Sequence, residues 1–450
     1  MAKQYAAKAI PPKKKIVYVG GIDRPFLAAV LLLLALGTVM VFSASYPSAY
    51  ATQGGDSYYF ARRQLLYAVL GLVAMGAVIF IPQFDYHVIR RFAVPLYIVS
   101  FLLLVGVLLF GIELNEAKRW YSVGGITFQP SEIAKFALVV ILAEYADKCG
   151  DKIRTGDSVK DILKNMMPLA AAAVVAGVML ALGMSEKIEK VPAFIIAGAM
   201  GLFIVVRMAA IIIRRRLPSF SFGVVPFVLL LGLPAVTLYF QPHISCILIM
   251  AGITFIMMYL SGTKLLYMGG GTVLGLIGAY VLAKSQVHSS GRLEVWMDPF
   301  SYLEKGGWQP VQSLYAIGSG GIWGVGFGNS RQKFSYLPEP QNDYVFAIWC
   351  EEMGFVGAIL VMAVFLFFIC RGIHIGLHAP DRFSSLLVIG IVSHVALQAI
   401  LNIAVVTNSV PSTGISLPFF SYGGTSLVIL LAEMGVVLSV SRYASVKKSV

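Results

Sequence analysis

Charge is scarce in this chain. Of its 450 residues, 13% are Asp, Glu, Lys or Arg and 58% are apolar, and the mean hydropathy is +0.81. Soluble domains carry roughly 25% charged residues, because a folded core needs a charged coat. Half that fraction excludes an ordinary soluble enzyme and points to a polytopic membrane protein. Cysteine is scarce too. Cys149, Cys246, Cys350 and Cys370 are too few for a disulfide framework, and no CxxC or Cys/His spacing marks a zinc site. There is no P-loop. Gly324-Val-Gly326-Phe-Gly328 is a fragment of a dinucleotide fingerprint without the strand and helix alternation that would make it one. No internal repeat is visible, inverted or direct.

What the chain does have is long apolar runs. A span needs roughly 20 apolar residues, which places spans near 26–43, 64–82, 93–111, 131–147, 166–184, 192–213, 222–240, 244–262, 266–284, 343–370, 383–407 and 423–441. The expected fold is an all-α polytopic membrane protein of about twelve transmembrane helices with a large extracytoplasmic loop. Residues 1–22 read as a basic cytoplasmic tail, 23–442 as a single transmembrane domain, and 443–450 as a second cytoplasmic tail. The net charge of +13 is not a nucleic-acid signal. Its bases gather in short loops such as Arg90-Arg91, Lys148 to Lys164, Arg214-Arg215-Arg216 and Arg371 to Arg382, the positive-inside pattern. Arg62-Arg63 and Lys118-Arg119 depart from it. The pattern puts both termini in the cytoplasm and the loop 285–342 outside.

That loop is the longest polar interval, and it holds Arg292, Trp296, Asp298, a Gly-rich run from Gly318 to Gly328, and Lys333. Asp298 precedes Pro299. By spacing alone such an Asp caps a turn; the alternative is a catalytic carboxylate held by the fixed φ of Pro299 and the wall of Trp296. The glycines read as tight turns or as a nest of N–H groups for an anion. Glu132 and Lys135 are three apart at the start of a span, so they share a face and can pair, either to orient the helix or to wall a cavity. Glu351 and Glu352 admit the same two readings. His394 reads as an interhelical hydrogen-bond partner.

Several stretches resemble a known family. Phe42-Ser-Ala-Ser45, Ala117-Lys118-Arg119-Trp120, Gln129-Pro-Ser-Glu132-Ile-Ala-Lys135, Trp296-Met-Asp298-Pro-Phe, Gly321 to Ser330, Gln332-Lys333, Tyr336 to Asp343, Glu351-Glu352-Met-Gly354 and Pro411 to Gly424 are similar, in order, to the SEDS proteins. The run Asn329 to Lys333 with Leu337-Pro-Glu-Pro-Gln is closer to the FtsW-like division and sporulation branch than to the RodA-like elongation branch. The resemblance implies a peptidoglycan glycosyltransferase that polymerises lipid II at the outer face of the cytoplasmic membrane. It also implies a class B penicillin-binding protein as partner, among other division proteins and membrane lipids.

The family's essential acid falls on Asp298. The reaction it implies is one inverting displacement of a lipid diphosphate from the anomeric carbon of the nascent glycan strand by a sugar hydroxyl of the incoming lipid II. A general base for that hydroxyl is worth roughly 10²–10⁴-fold, and the diphosphate needs cations. Candidates are Lys118, Arg119, Arg292, Arg331 and Lys333, with Glu132, Lys135 and Trp296 at the substrate; a Mg or Mn ion on the diphosphate is compatible with hard oxygen ligands. Two departures stand out. The family has about ten spans, so an extra pair is expected within 166–240. His243 follows Gln241-Pro242 where relatives carry an acid. A lipid II flippase and a non-catalytic divisome scaffold are the competing readings.

Overall fold

The computed structural model describes residues 20–81, 86–114, 117–124, 126–184, 190–213, 217–271 and 294–444. In lipid every backbone polar group must be satisfied within the protein, which favours helices throughout. The chain runs α1 (Arg24–Thr52), α2 (Tyr59–Phe80), α3 (Tyr86–Arg91), α4 (Ala93–Phe110), a three-stranded meander, and α5 (Pro130–Arg154). It continues through α6 (Val159–Met184), α7 (Lys190–Ile213), α8 (Pro218–Gly223), α9 (Val225–Phe240) and α10 (Ile244–Ser261). After residues outside the description come α11 (Trp308–Gly320), α12 (Val345–Leu377), α13 (Arg382–Val406) and α14 (Gly424–Ala444).

Among the described residues, eight helices or helix pairs are long and apolar enough to cross a membrane: α1, α2, α4, α8 with α9, α10, α12, α13 and α14. The expected spans at 131–147, 166–184 and 192–213 fall on α5, α6 and α7. Beyond Gly271 the expected span at 266–284 lies outside the described residues, as do Arg214-Arg215-Arg216, His288 and Arg292. The helical, multi-pass architecture is therefore the expected one, with one addition. Part of the expected loop 112–130 is a sheet: β1 (Ile112–Leu114), β2 (Ala117–Val123) and β3 (Ile126–Phe128) pair antiparallel in sequence order. Trp120 and Tyr121 suit a pleated, half-covered surface, and Tyr121 Oη donates to Leu103 O at 3.1 Å, fastening the sheet to α4.

α5 is the axis of the bundle. Every side chain from Ala137 to Ala143 is buried, and α4, α8, α9, α10, α13 and α14 all pack on it. It holds Glu132, Lys135 and Glu144 because those face protein rather than lipid. α6 and α7 pack chiefly on each other. Their contact with the rest is a small separate cluster of Ile162, Leu169 and Ile211 with Leu217, Phe220 and Tyr267.

Candidate functional site

Above α5, at the end of the bundle bearing the sheet, the chain brings together residues from five elements. Pro130 at the helix N-terminus sets Glu132 on the first turn and Lys135 on the second, above the same face. Lys135 Nζ lies 2.9 Å from Glu132 Oε2 and donates to Gln398 Oε1 at 3.0 Å, with the Lys135 side chain 3% exposed. Gln398, on α13, also donates to Ser416 O and Oγ, and its Oε1 faces His394 Nε2 at 3.2 Å. His394 Nδ1 lies 3.3 Å from Glu433 Oε2 on α14. Glu132, His394, Gln398, Ser416 and Glu433 line a cavity of about 30 Å³ together with Tyr422 and Ser426. It has room for water and none for a sugar.

Arg119, on β2, bends to the turn between α9 and α10. Its Nε donates to Gln241 O at 3.1 Å and an Nη to Pro242 O. His243 follows that turn, and burial first, then the Arg119 and Lys135 charges, push its imidazole down to about 3. The residue in the place of an acid is thus a neutral imidazole with Nδ1 unpartnered among the described residues. Asp343 completes the group just before α12: burial pushes its carboxyl up to about 6, Glu339 adds, and Arg119 opposes. Lys118, across the strand pair from Glu113, stays exposed.

Asp298 stands on a second surface. Its Oδ1 accepts from Ser301 N at 3.3 Å and its Oδ2 from Ser301 Oγ at 2.6 Å, and the residue is exposed. It caps a turn and still offers a carboxylate to solvent. Trp296 fixes that turn to the bundle: its Nε1 donates to Asn408 O at 3.0 Å, and Asn408 Nδ2 donates back to Trp296 O at 3.2 Å. Both surfaces are tied to the stretch between α13 and α14. Asn402 donates to Asp343 O and Ile415 O, Ser245 donates to Thr413 O, and Gln398 holds Ser416.

Lys333 belongs to neither surface. Its Nζ lies 2.9 Å from Glu352 Oε1 and donates to Gly328 O at 2.7 Å and Ser43 Oγ at 3.2 Å. An ammonium has three N–H donors. All three are taken, in a site where Lys333 is 2% and Glu352 0% exposed, so the expected contact with a diphosphate is replaced by a structural pin. Neighbouring Glu351 accepts from Ser330 Oγ at 2.5 Å, Arg331 N at 2.9 Å and Gln332 N at 3.3 Å. The two glutamates bind the Ser330–Lys333 run to α12.

The Gly-rich run has a matching explanation. α12 breaks at Gly354, whose φ is 66°, and the freed backbone pairs with the run: Val325 N donates to Glu351 O, Gly326 N to Glu352 O, Phe355 N to Gly321 O and Val356 N to Ile322 O. A Cβ on Gly324, at φ +82°, would stand 2.1 Å from Glu352 O. These N–H groups are spent on protein, which removes the anion-nest reading for this part of the run. Gly324→Ala is expected to lower stability by at least about 1–3 kcal/mol, read as a fall in thermal midpoint and faster proteolysis of the 321–333 segment.

Comparison with known proteins adds the lineage. The profile of the FtsW/RodA/SpoVE family, described as cell cycle protein, matches residues 24–189 and 192–446. The chain belongs to this family. It is 35% identical to Stage V sporulation protein E of Bacillus subtilis, over 92% of this chain and 95% of that protein. It is 32% identical to the probable peptidoglycan glycosyltransferase FtsW of Geobacter sp. strain M18, over 94% and 97%. Among solved structures, a chain of a peptidoglycan synthase complex, described for its coordination of polymerization and crosslinking, superposes with a TM-score of 0.65 at 22% identity, over 94% of this chain and 98% of that one. The rod shape determining protein RodA of Thermus thermophilus gives 0.58 at 24% identity, over 94% and 97%.

The sequence of this family member pairs Glu132 with Lys135, sets Trp296 beside Asp298, and offers Arg119 as a separate candidate cation. It leaves two residues unmarked. Asp343 was legible only as part of a motif, since nothing in Gln341-Asn-Asp343 announces a buried carboxyl. Arg63 was set aside as an exception to the charge pattern. In the fold it lies 4.6 Å from the Tyr59 ring and bonds to Tyr422, at the rim of the Glu132 cavity. Burial raises Tyr422 above the usual phenol value and Arg63 opposes the rise.

Asp343 carries a sign-specific expectation. Its native carboxyl holds a proton more tightly than the unfolded chain does, so its contribution to stability is present at acid pH and lost as pH rises from the ordinary value of 3.8 through about 6. His243 acts the other way, contributing above its ordinary 6.5 and losing that as pH falls. Asp343→Asn is expected to flatten the thermal midpoint between pH 4 and 6 relative to wild type, and to raise it at pH 7.

Proposed function

We propose that this chain is a peptidoglycan glycosyltransferase that polymerises lipid II at the outer face of the cytoplasmic membrane in division or sporulation. The observation that carries this is family membership at 35% and 32% identity over nearly the full length of relatives, one of them named as such a transferase. Supporting it, an exposed carboxylate and a group of cations occupy one end of a membrane bundle. Asp298 accepts the proton of the attacking sugar hydroxyl as the new glycosidic bond forms and the lipid diphosphate leaves. Arg119, Lys118 and Arg63, with Arg292 from the preceding stretch, meet the diphosphate. The Glu132–Lys135 pair walls the cleft on the α5 side. Both termini lie in the cytoplasm under this reading, and α6 with α7 is the added pair of helices.

The described residues contain no group of three or more His, Cys, Asp or Glu that could hold a metal by themselves. A Mg or Mn ion carried by the diphosphate needs only one or two protein carboxylates. Such an ion would neutralise charge on the leaving group. By analogy with the synthase complex, a class B penicillin-binding protein is the expected partner, crosslinking the strands this chain makes.

A flippase reading draws on the buried line of Glu132, Lys135, Gln398, His394 and Glu433, since ionisable groups within a bundle also mark translocation paths. The 30 Å³ cavity along that line is far too small for a disaccharide headgroup. Purified protein with its penicillin-binding partner and lipid II decides the matter. Glycan strands on a gel support the transferase. Headgroup transfer across vesicles without strands supports the flippase, and neither activity leaves a scaffold.

A further inference from the structure

The end of the bundle opposite the sheet holds a cleft that glycosyl transfer does not use. It opens between α3, the start of α4 and the C-terminal half of α5, has a volume of about 280 Å³, and is lined by His87, Arg90, Arg91, Val94, Glu144 and Lys148. Three permanent cations meet two carboxylates around it. Arg90 is fixed in place: Nε lies 2.8 Å from Glu144 Oε2, Nη2 lies 2.6 Å from Asp147 Oδ2, and the guanidinium sits 5.2 Å from the Phe383 ring. Lys148 touches Glu144 at 2.7 Å while its side chain remains 66% exposed. Arg91 is exposed and makes no ion pair among the described residues. The two acids thus hold Arg90 and leave a surplus of positive charge at the mouth.

An apolar strip leads away from that mouth. Val94, Ile98 and Leu102 follow one face of α4 at four-residue spacing, 52%, 49% and 60% exposed, with Phe92 beside them at 54%. A small soluble anion would need the cations alone. A cationic mouth heading a lipid-facing apolar strip matches a molecule with an anionic head and acyl chains, and basic pockets between helix ends recur as phospholipid headgroup sites. We propose that this cleft binds an anionic phospholipid, with Arg91 and Lys148 on the phosphate oxygens and the chains along Val94, Ile98 and Leu102. Arg90 shapes the floor, held by its two carboxylates. Phosphatidylglycerol has the required chemistry; the zwitterionic phosphatidylcholine carries its own cation into a site already positive.

Native mass spectrometry of the full chain in detergent, titrated with phosphatidylglycerol or phosphatidylcholine of identical chains, tests this. The expected result is at least about five-fold greater retention of phosphatidylglycerol, the increment of one surface cation. Arg91→Glu, which removes one positive charge and adds a negative one, is expected to reduce that retention by about 5–25-fold, while Arg91→Lys keeps it. Lys160→Glu, an exposed base on α6 away from the cleft, is expected to leave it unchanged. Unchanged elution and helicity of Arg91→Glu establish that the loss is local, and Arg91→Gln repeats the test with a milder change. Equal retention of the two lipids, or undiminished phosphatidylglycerol retention by the Arg91→Glu, Lys148→Glu double variant, overturns the proposal. So does displacement of the lipid by equimolar inorganic phosphate, which would make this a site for a soluble anion.

Discussion

Asp298→Asn is expected to lower lipid II polymerisation by about 10²–10⁴-fold, the usual worth of a general base, with little change in stability. The reasoning rests on what asparagine keeps and what it loses. Its side-chain oxygen still accepts from Ser301 N in the place of Oδ1 (3.3 Å), its Nδ2 stands in the place of Oδ2 and donates to Ser301 Oγ where the carboxylate accepts at 2.6 Å, and asparagine caps about as well as aspartate. The turn therefore persists, with Trp296 and Asn408 locking it to the bundle. What disappears is the site that takes the hydroxyl proton. Ser301→Ala is the companion variant: it frees Oδ2 of a hydrogen bond and loosens its aim, for an expected few-fold loss. Steady-state polymerisation at saturating lipid II separates the two. Asp298→Asn activity above about one tenth of wild type would sink the base assignment and leave the cap as the residue's whole role.

Glu352→Leu alone and Lys333→Met alone are each expected to destabilise the protein by about 3–5 kcal/mol, because each leaves an uncompensated charge in a site with 2% or 0% exposure. With Glu352 gone, the Lys333 ammonium keeps Gly328 O and Ser43 Oγ but no counter-charge. With Lys333 gone, the Glu352 carboxylate keeps only the Ser43 hydroxyl, at 2.7 and 2.8 Å, among the described residues. The double variant removes both charges and is expected to recover much of the loss, since apolar replacement of a buried pair is often close to neutral. Thermal midpoints at one scan rate in one detergent, arranged as a double-mutant cycle, read the coupling. Losses that simply add would show that the pair is not coupled. Polymerisation should fall in both single variants as well, since Glu352 also holds Gly326 through its backbone and sits beside the Glu351 clamp on Ser330, Arg331 and Gln332.

The sequence by itself determined the class of protein. A chain with so few charges cannot coat a soluble core, and apolar runs of span length, bounded by basic loops, become membrane helices whatever their packing. Local spacing also determined the Glu132–Lys135 pair, because residues three apart on a helix meet without help from the rest of the fold. The turn capped by Asp298 is local in the same sense.

Everything that depends on contacts between distant elements was decided by the tertiary structure. Lys333 looked like a free cation in a polar loop; only the approach of α1 and α12, carrying Ser43 and Glu352, shows its donors saturated. The Gly-rich run looked like a turn or an anion nest, and its purpose appears only when the broken backbone at Gly354 comes alongside. Asp343 and His243 owe their shifted titration first to burial; Arg119, from a strand more than a hundred residues away in sequence, adds to the fall at His243 and opposes the rise at Asp343. A charge carries its sign in the sequence, but its availability depends on which partners the fold brings within 3 Å.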